Sequence, residues 1–248
     1  MNTTMNTTMN TIGIIGAMEE EIIAIRRKMD IKNTITIASI EFYLGEINGQ
    51  NIILVRCGIG KVNAAICTQI MIDHFKVAYI INTGVAGGLY PKINIGDIII
   101  SSDTVEHDMD VTTFGHKRGF IPRMNQHFFE ADKWLVEIAE NAAKKAKGDH
   151  KVYIARIASG DQFISSMKIK EDIYTTFTAY CAEMEGAAIA HTCFLNKVPF
   201  VIIRAISDKA DQSAEVNFDD FVNLAARNAS FIIEEMVKEI SQIKKESL

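Results

Sequence analysis

The chain has 248 residues, 48% of them hydrophobic and 23% charged, with a formal net charge of −5. That length can bury the core of one large α/β domain. The acidic balance without a basic stripe argues against nucleic acid, and the lack of a long apolar run argues against a membrane span.

The opening MNTTMNTTMNT is a polar repeat with no basic or apolar signal region. It is expected to form a disordered low-complexity tail over residues 1–9, ahead of one domain at 10–242. NTIGIIG then reads as a short buried strand, and AMEEEIIAIRRKM as a helix with Met18, Ile22, Ile25 and Met29 in helical spacing. IEFYLGEING and QNIILVRCGIG predict a hairpin turning at Asn48-Gly49. GKVNAAICTQIMIDHF predicts a helix, and VAYIINTGVAGGL a buried strand followed by a glycine-rich turn. IGDIIISSDTVEHDMDVTTFG predicts a strand that enters a long polar loop, continued by HKRGFIPRMNQHFF. A loop of that length is expected to be functional or covered.

DKWLVEIAENAAKKAK predicts an amphipathic helix, and VYIARIASGDQFI a strand that breaks at Ser159-Gly160-Asp161. AYCAEME predicts a short strand, GAAIAHTCFLN a helix, VPFVIIRAISD a strand and FDDFVNLAARNASFIIEEMVKEISQIKK a closing helix. Strands alternating with helices, plus one hairpin, imply an α/β fold: a single-domain three-layer sandwich whose central mixed sheet is flanked by helices. Cys57, Cys67, Cys181 and Cys193 show no C-x-x-C spacing and sit in apolar stretches. They are expected to be free buried thiols of a cytoplasmic protein.

Five strands run apolar and then end in glycine or polar residues: GIIG-AMEEE, YIINTG-VAGG, ARIASGDQF, CAEMEG and IIRAISD. Ligands of open α/β sheets sit beyond such carboxyl ends. Glu183 and Glu185 flank Met184; in extended backbone both glutamates face one way and Met184 the other. Glu185 also precedes a helix N-terminus, which favours its charged form, while burial opposes it. A fixed anion there suits neutral hydroxyls or a developing cation; a helix cap or an ion pair to Arg204 would serve structure alone. Asp208, with Ser207 to orient it, is a candidate general acid, or else a cap. Glu21 is a third candidate, which the pattern alone does not separate from Glu19 and Glu20. The glycine stretch Gly84–Gly88, with Ala86 and Gly87 inside it, is expected to let a flat ligand approach the backbone. His107, Asp108 and Asp110 have only loose metal-ligand spacing.

GIIGAMEEE, CGIGKVNAA, INTGVAGGL, GDIIIS, DVTTFG, SGDQFI, EMEGAAIAH and RAISDKAD occur in this order. Together they resemble the bacterial 5′-methylthioadenosine/S-adenosylhomocysteine nucleosidases of the purine nucleoside phosphorylase/nucleosidase superfamily, over about residues 10–240. The resemblance implies a nucleoside phosphorylase-like fold, a homodimer, no cofactor and no metal. It implies that Glu21 activates water, and that Asp208, held by Ser207, protonates adenine N7. Glu185 would bind the ribose hydroxyls with Met184 against the sugar and Glu183 nearby. Phe163 would stack on adenine, the Ile164 backbone would read its edge, and Arg204 would lie close to the water. Ile59 and Phe218 would line the 5′ pocket, while Val111, Phe114 and Pro122, in loop 105–125, would reach the neighbouring subunit's site. Val85 stands where the family often has serine, and His116 where an aromatic is common.

Glycosidic cleavage of such a nucleoside needs an acid for the base, an anion near the sugar and a base for water, without a metal. A phosphorylase would instead need cations to hold phosphate, where GAMEEE offers acids. A non-catalytic nucleoside-binding module would have no need of Glu21 and Asp208 together.

Overall fold

The computed structural model describes residues 11–146 and 149–246; the expected tail over residues 1–9 lies outside them. In chain order the elements are β1 (Ile12–Gly16), α1 (Glu19–Lys28), β2 (Asp30–Ile37), β3 (Ile40–Ile47), β4 (Gln50–Arg56), α2 (Lys61–Asp73), β5 (Tyr79–Gly88), β6 (Ile98–Glu106) and β7 (Phe129–Glu130). There follow α3 (Lys133–Lys144), β8 (Val152–Ser159), α4 (Met167–Phe177), β9 (Cys181–Glu183), α5 (Gly186–Asn196), β10 (Phe200–Asp208) and α6 (Ala214–Glu246).

All ten strands belong to one mixed sheet, ordered β10-β6-β8-β9-β5-β1-β4-β3-β2, with β7 on β6. Strand β10 also pairs with β5. The strands β5, β10, β6, β8 and β9 therefore close on themselves, and β1, β4, β3 and β2 extend from that ring as an open wing. Pairing is parallel for β1–β4, β1–β5, β5–β10, β6–β8 and β8–β9, and antiparallel for β10–β6, β5–β9 and the β2–β3–β4 meander. Closure brings the ends of strands that run in opposite directions to one place, as the tilt of barrel strands allows.

Two of the three buried apolar clusters among the described residues follow from the two faces. Ile12, Ile14, Leu54, Ile81 and Ile203 pack with the buried sides of α1, α3 and α6, among them Ile22, Leu135 and Ile233. Ile15, Val55, Ile80 and Ile202 pack with Cys67 and Met71 of α2 and Ile189 and Cys193 of α5. The strands β1 and β10 are buried along their whole length. They read as continuous apolar runs because helices cover both faces.

Local chemistry explains most boundaries. The hairpin turns where expected, with Asn48 and Gly49 both at positive φ (53° and 78°). Asp132 caps α3 by accepting the Leu135 amide at 3.0 Å. Helix α1 opens on three glutamates and closes on Arg26, Arg27 and Lys28, in accord with its dipole.

Five elements depart from the sequence expectations. The glycine stretch makes no turn; β5 runs extended through Gly88, because Gly87 and Gly88 pair with Ala182 and Cys181 of β9. Helix α6 starts at Ala214, four residues before Phe218, behind a turn in which Asp211 accepts from the Ser213 amide and hydroxyl. Strands β2 and β7 and helix α4 had no counterpart among the predicted elements; β7 ends the long loop by pairing with Asp103 and Thr104 of β6.

Candidate active site

A cavity of about 620 Å³ opens where five strand ends meet. Ala17, Met18 and Glu21 reach it from the β1–α1 turn, and Val85, Ala86 and Gly87 from β5. The loop after β8 supplies Gln162, Phe163 and Ile164; β9 and its exit supply Ala182, Glu183, Met184 and Glu185. Ser207 and Asp208 end β10, and Ile59 and Phe218 stand at the mouth.

The acid triplet of α1 resolves by position. Glu19 turns back to Arg26 at 2.5 Å, Glu20 is exposed, and Glu21 is buried beneath the cavity. The Glu21 Oε2 accepts the amides of Ala17 (2.7 Å) and Met18 (3.0 Å), and Oε1 accepts the Val85 amide (3.0 Å). This carboxylate closes the first turn of its own helix and is tied to β5. Burial pushes its pKa up, against the pull of Arg204 and the three amides.

Asp208 owes its direction to a bulge: Ile206 pairs with Ala86 and Asp208 with Gly87, so Ser207 is the extra residue. In a regular strand neighbouring side chains point to opposite faces; here both Ser207 and Asp208 line the cavity. Asp208 Oδ1 accepts the Ala210 amide at 2.8 Å and Oδ2 the Ser207 hydroxyl at 2.9 Å. Burial raises the Asp208 pKa; those two hydrogen bonds work the other way.

Glu183, Met184 and Glu185 all line one cavity, so the alternation expected for an extended segment does not hold. Strand β9 stops at Glu183 and the chain turns into α5, with Glu185 at its N-cap position (φ −133°, ψ −39°) and no side-chain cap bond. Glu185 Oε1 instead accepts the Gly60 amide at 2.8 Å. Burial and the neighbouring Glu183 raise its pKa to about 8. Glu183 turns inward: it accepts from the Ser159 hydroxyl, from the Glu185 and Gly186 amides, and from Arg204 Nη2 at 2.5 Å.

Arg204 pairs with Glu183 rather than Glu185, and it lies under the cavity without lining it. It also donates to Asn82 Oδ1 at 2.5 Å and to the Ile203 carbonyl at 3.0 Å, and is 2% exposed. Burial opposes its charge, but Glu183, Glu21 and Glu185 outweigh that and raise its pKa. Gly84 makes this stacking possible: a Cβ there would lie 2.5 Å from Glu21 Oε1 and 3.3 Å from Arg204 Nη1.

Phe163 is half exposed and meets Phe218 edge-on at 5.8 Å, leaving a slot open to a flat ring. Val111, Phe114 and Pro122 stand away from the cavity, Phe114 being 80% exposed on a single 3₁₀ turn. His116 is exposed and stacks on Phe120. The loose His107, Asp108 and Asp110 set does not converge: Asp108 pairs with Lys61, Asp110 accepts from Thr112, and His107 is buried.

Sequence reasoning did not single out Ala17, Met18, Gln162 or Ala182, nor the Gly60 amide and Asn82 that hold Glu185 and Arg204. Glycine in G-I-G-K and asparagine in I-N-T-G were available signals, but the partners are distant in the chain.

The family model described as the phosphorylase superfamily matches residues 11–238. The chain is 44% identical, over 93% of its length and 99% of the relative's, to the 5′-methylthioadenosine/S-adenosylhomocysteine nucleosidase of Geobacillus sp. (strain WCH70). The Neisseria meningitidis nucleosidase of that name, solved with methylthio-immucillin-A, superposes with a TM-score of 0.89 at 41% identity, covering 93% of this chain and 99% of that one. The futalosine hydrolase of Helicobacter pylori superposes with a TM-score of 0.88 at 35% identity, covering 93% and 98%.

Proposed function

The chain belongs to the 5′-methylthioadenosine/S-adenosylhomocysteine nucleosidase family of the phosphorylase superfamily, and we propose that it hydrolyses the N-glycosidic bond of those two nucleosides to adenine and the 5-thioribose product. The observation that carries this is the charge of the cavity. Glu21, Glu183, Glu185 and Asp208 line it, and none of the described lining residues is a cation. Arg204, the guanidinium beneath, is already bound to Glu183. A phosphate nucleophile would find no lining cation to hold it, whereas neutral water needs none.

Adenine lies in the slot at Phe163, with the Ile164 backbone along its edge. Glu185 accepts the ribose hydroxyls, Met184 packs on the sugar, and Ile59 and Phe218 flank the 5′ substituent. As the bond to the base lengthens, positive charge grows on the ribose and negative charge on the purine. The Glu183 carboxylate favours the first, as does Glu185 in its ionised form. Asp208, whose pKa burial raises, acts in its protonated form, giving its proton to N7 and neutralising the second. Glu21, a fixed carboxylate made more basic by burial, takes a proton from the attacking water. The Ser207 hydroxyl suits the change at Asp208: it donates to the ionised carboxylate, and can turn toward the Ala86 carbonyl, 3.4 Å away, when Asp208 carries the proton.

The protein acts in the cytoplasm as a homodimer, each copy lending Val111, Phe114 and Pro122 to the other's 5′ pocket. The four buried free cysteines and the exposed Phe114 support this. No described helix is long and apolar enough to cross a membrane.

The test is adenine release in phosphate-free buffer from methylthioadenosine, adenosylhomocysteine, 5′-deoxyadenosine and aminofutalosine. Asp208→Asn keeps the Ala210 and Ser207 contacts, so it is expected to melt like the parent and lose roughly 10²–10⁴-fold in turnover. Release that requires phosphate would instead identify a phosphorylase, and nucleoside binding without release a binding module.

A further inference from the structure

Lys61 and Asp161, which end the G-I-G-K and S-G-D motifs at residues 58–61 and 159–161, have no part in the chemistry above, yet their loops meet beside the cavity. The Lys61 amide donates to Asp161 Oδ1 at 2.8 Å. The Asp161 amide donates to Asp108 Oδ2 at 3.0 Å, and Asp108 Oδ1 accepts from Lys61 Nζ at 2.6 Å. The three residues thus close a ring that starts and ends on Lys61. Lys61 Nζ also reaches Glu106 Oε2 at 3.2 Å, and Glu106 is held from its other side by His191 at 2.9 Å.

The loops fit with little room. Gly60 has φ +99°, and a Cβ there would lie 3.1 Å from Asp161 Oδ1. A Cβ on Gly160 would lie 2.5 Å from His107 Nε2 and 3.1 Å from Asp108 Cγ. The ring stands next to both halves of the site. One residue before Lys61, the Gly60 amide fixes Glu185; two residues after Asp161, Phe163 forms the slot.

We infer that Lys61, Asp108 and Asp161 are positioning residues: their ring holds the Gly60 amide and the Phe163 loop in one register, so that Glu185 on the sugar side and the slot on the base side are set together. This rests on the function proposed above. The side chains of Lys61, Asp108 and Glu106 are only 19%, 22% and 10% exposed, so removing the lysine leaves two mostly buried carboxylates without their counter-charge and costs stability too. Displacing a sugar-binding group by about 1 Å can cost up to ~10²-fold in rate. The ring therefore bears on geometry as well as folding, and Asp161, exposed and joined to Lys61 through a backbone amide, separates the two.

Three variants, Asp161→Ala, Asp161→Asn and Lys61→Met, test this through steady-state adenine release, thermal melting and amide hydrogen exchange over residues 58–62 and 160–164. Asp161→Ala is expected to lower kcat/KM by roughly 10–10²-fold while melting within a few degrees of the parent, and Lys61→Met to lower it similarly with a larger drop in melting temperature. Exchange is expected to speed up in both segments. Asp161→Asn keeps an acceptor for the Lys61 amide and is expected to recover most of the activity. Parental kcat/KM in both disruptive variants, or faster exchange confined to the segment that carries the substitution, overturns the inference. If the parent itself releases no adenine, the functional proposal fails on its own, and the exchange of Gly60 and Lys61 in Asp161→Ala still decides whether the ring holds the two loops.

Discussion

Arg204 is the residue whose chemistry departs furthest from its sequence appearance. The sequence offered it as an ion-pair partner of Glu185, and the family resemblance set it close to the water; the guanidinium is a buried counter-charge that holds Glu183 and faces Glu21. Removing one member of such a pair strands the other. Glu183→Ala is expected to cost about 3–5 kcal/mol, seen as a lower urea midpoint at constant slope; a midpoint within error of the parent would mean that Arg204 finds another partner. Ser207 offers a finer probe. Its hydrogen bond favours ionised Asp208 and so restrains a pKa that burial raises. Turnover needs the protonated form, and the alkaline limb of kcat reports its loss. Ser207→Ala takes away stabilisation of the anion, so that limb is expected to move to higher pH; an unmoved or lowered limb would remove Asp208 from the acid role.

Among the elements, β5 and β10 do most to build the site. The bulge at Ser207 aims two consecutive side chains into the cavity, and the glycines of β5 leave space for what lies across from them. A Cβ on Gly87 would come 2.8 Å from Asp208 Oδ1 and 3.1 Å from the Ala210 Cβ. Gly87→Ala is therefore expected to displace the acid and lower kcat by up to ~10²-fold, with a smaller effect on melting; parental kcat would show that Asp208 tolerates the shift. The glycine stretch was legible as a place of close approach, but not as strand, because glycine signals turns unless a partner strand is known. Strand β2 escaped notice because it is an edge: Asp30, Lys32 and Asn33 face solvent and blur the alternation. Helix α4 carried a usable signal, Ile169, Ile173 and Phe177 at four-residue spacing after Ser166.

At the scale of the molecule, several apolar side chains remain uncovered. Val62 and Ile66, four apart on α2, are 68% and 45% exposed; Leu195 at the end of α5 is 62% exposed, and Phe114 80%. Helices α2 and α5 pack together, so the first three are candidates for one surface, as a dimer face requires. Light scattering is expected to give twice the chain mass. Phe114→Ala is expected to raise KM for methylthioadenosine severalfold with little change in melting, and Val62→Glu to shift the mass toward monomer. A parent that is monomeric and fully active would refute the shared site.

The chain by itself determined the α/β class, the hairpin, most helices and the set of acids, because these follow from local periodicity, turn chemistry and motifs contiguous in sequence. Only the tertiary structure decided which glutamate of α1 is buried, that Arg204 belongs to Glu183, that β5 continues through its glycines, and that five strands close into a ring. Each of those depends on which residues meet across long separations in the chain, and burial and pairing are properties of that meeting rather than of any one segment.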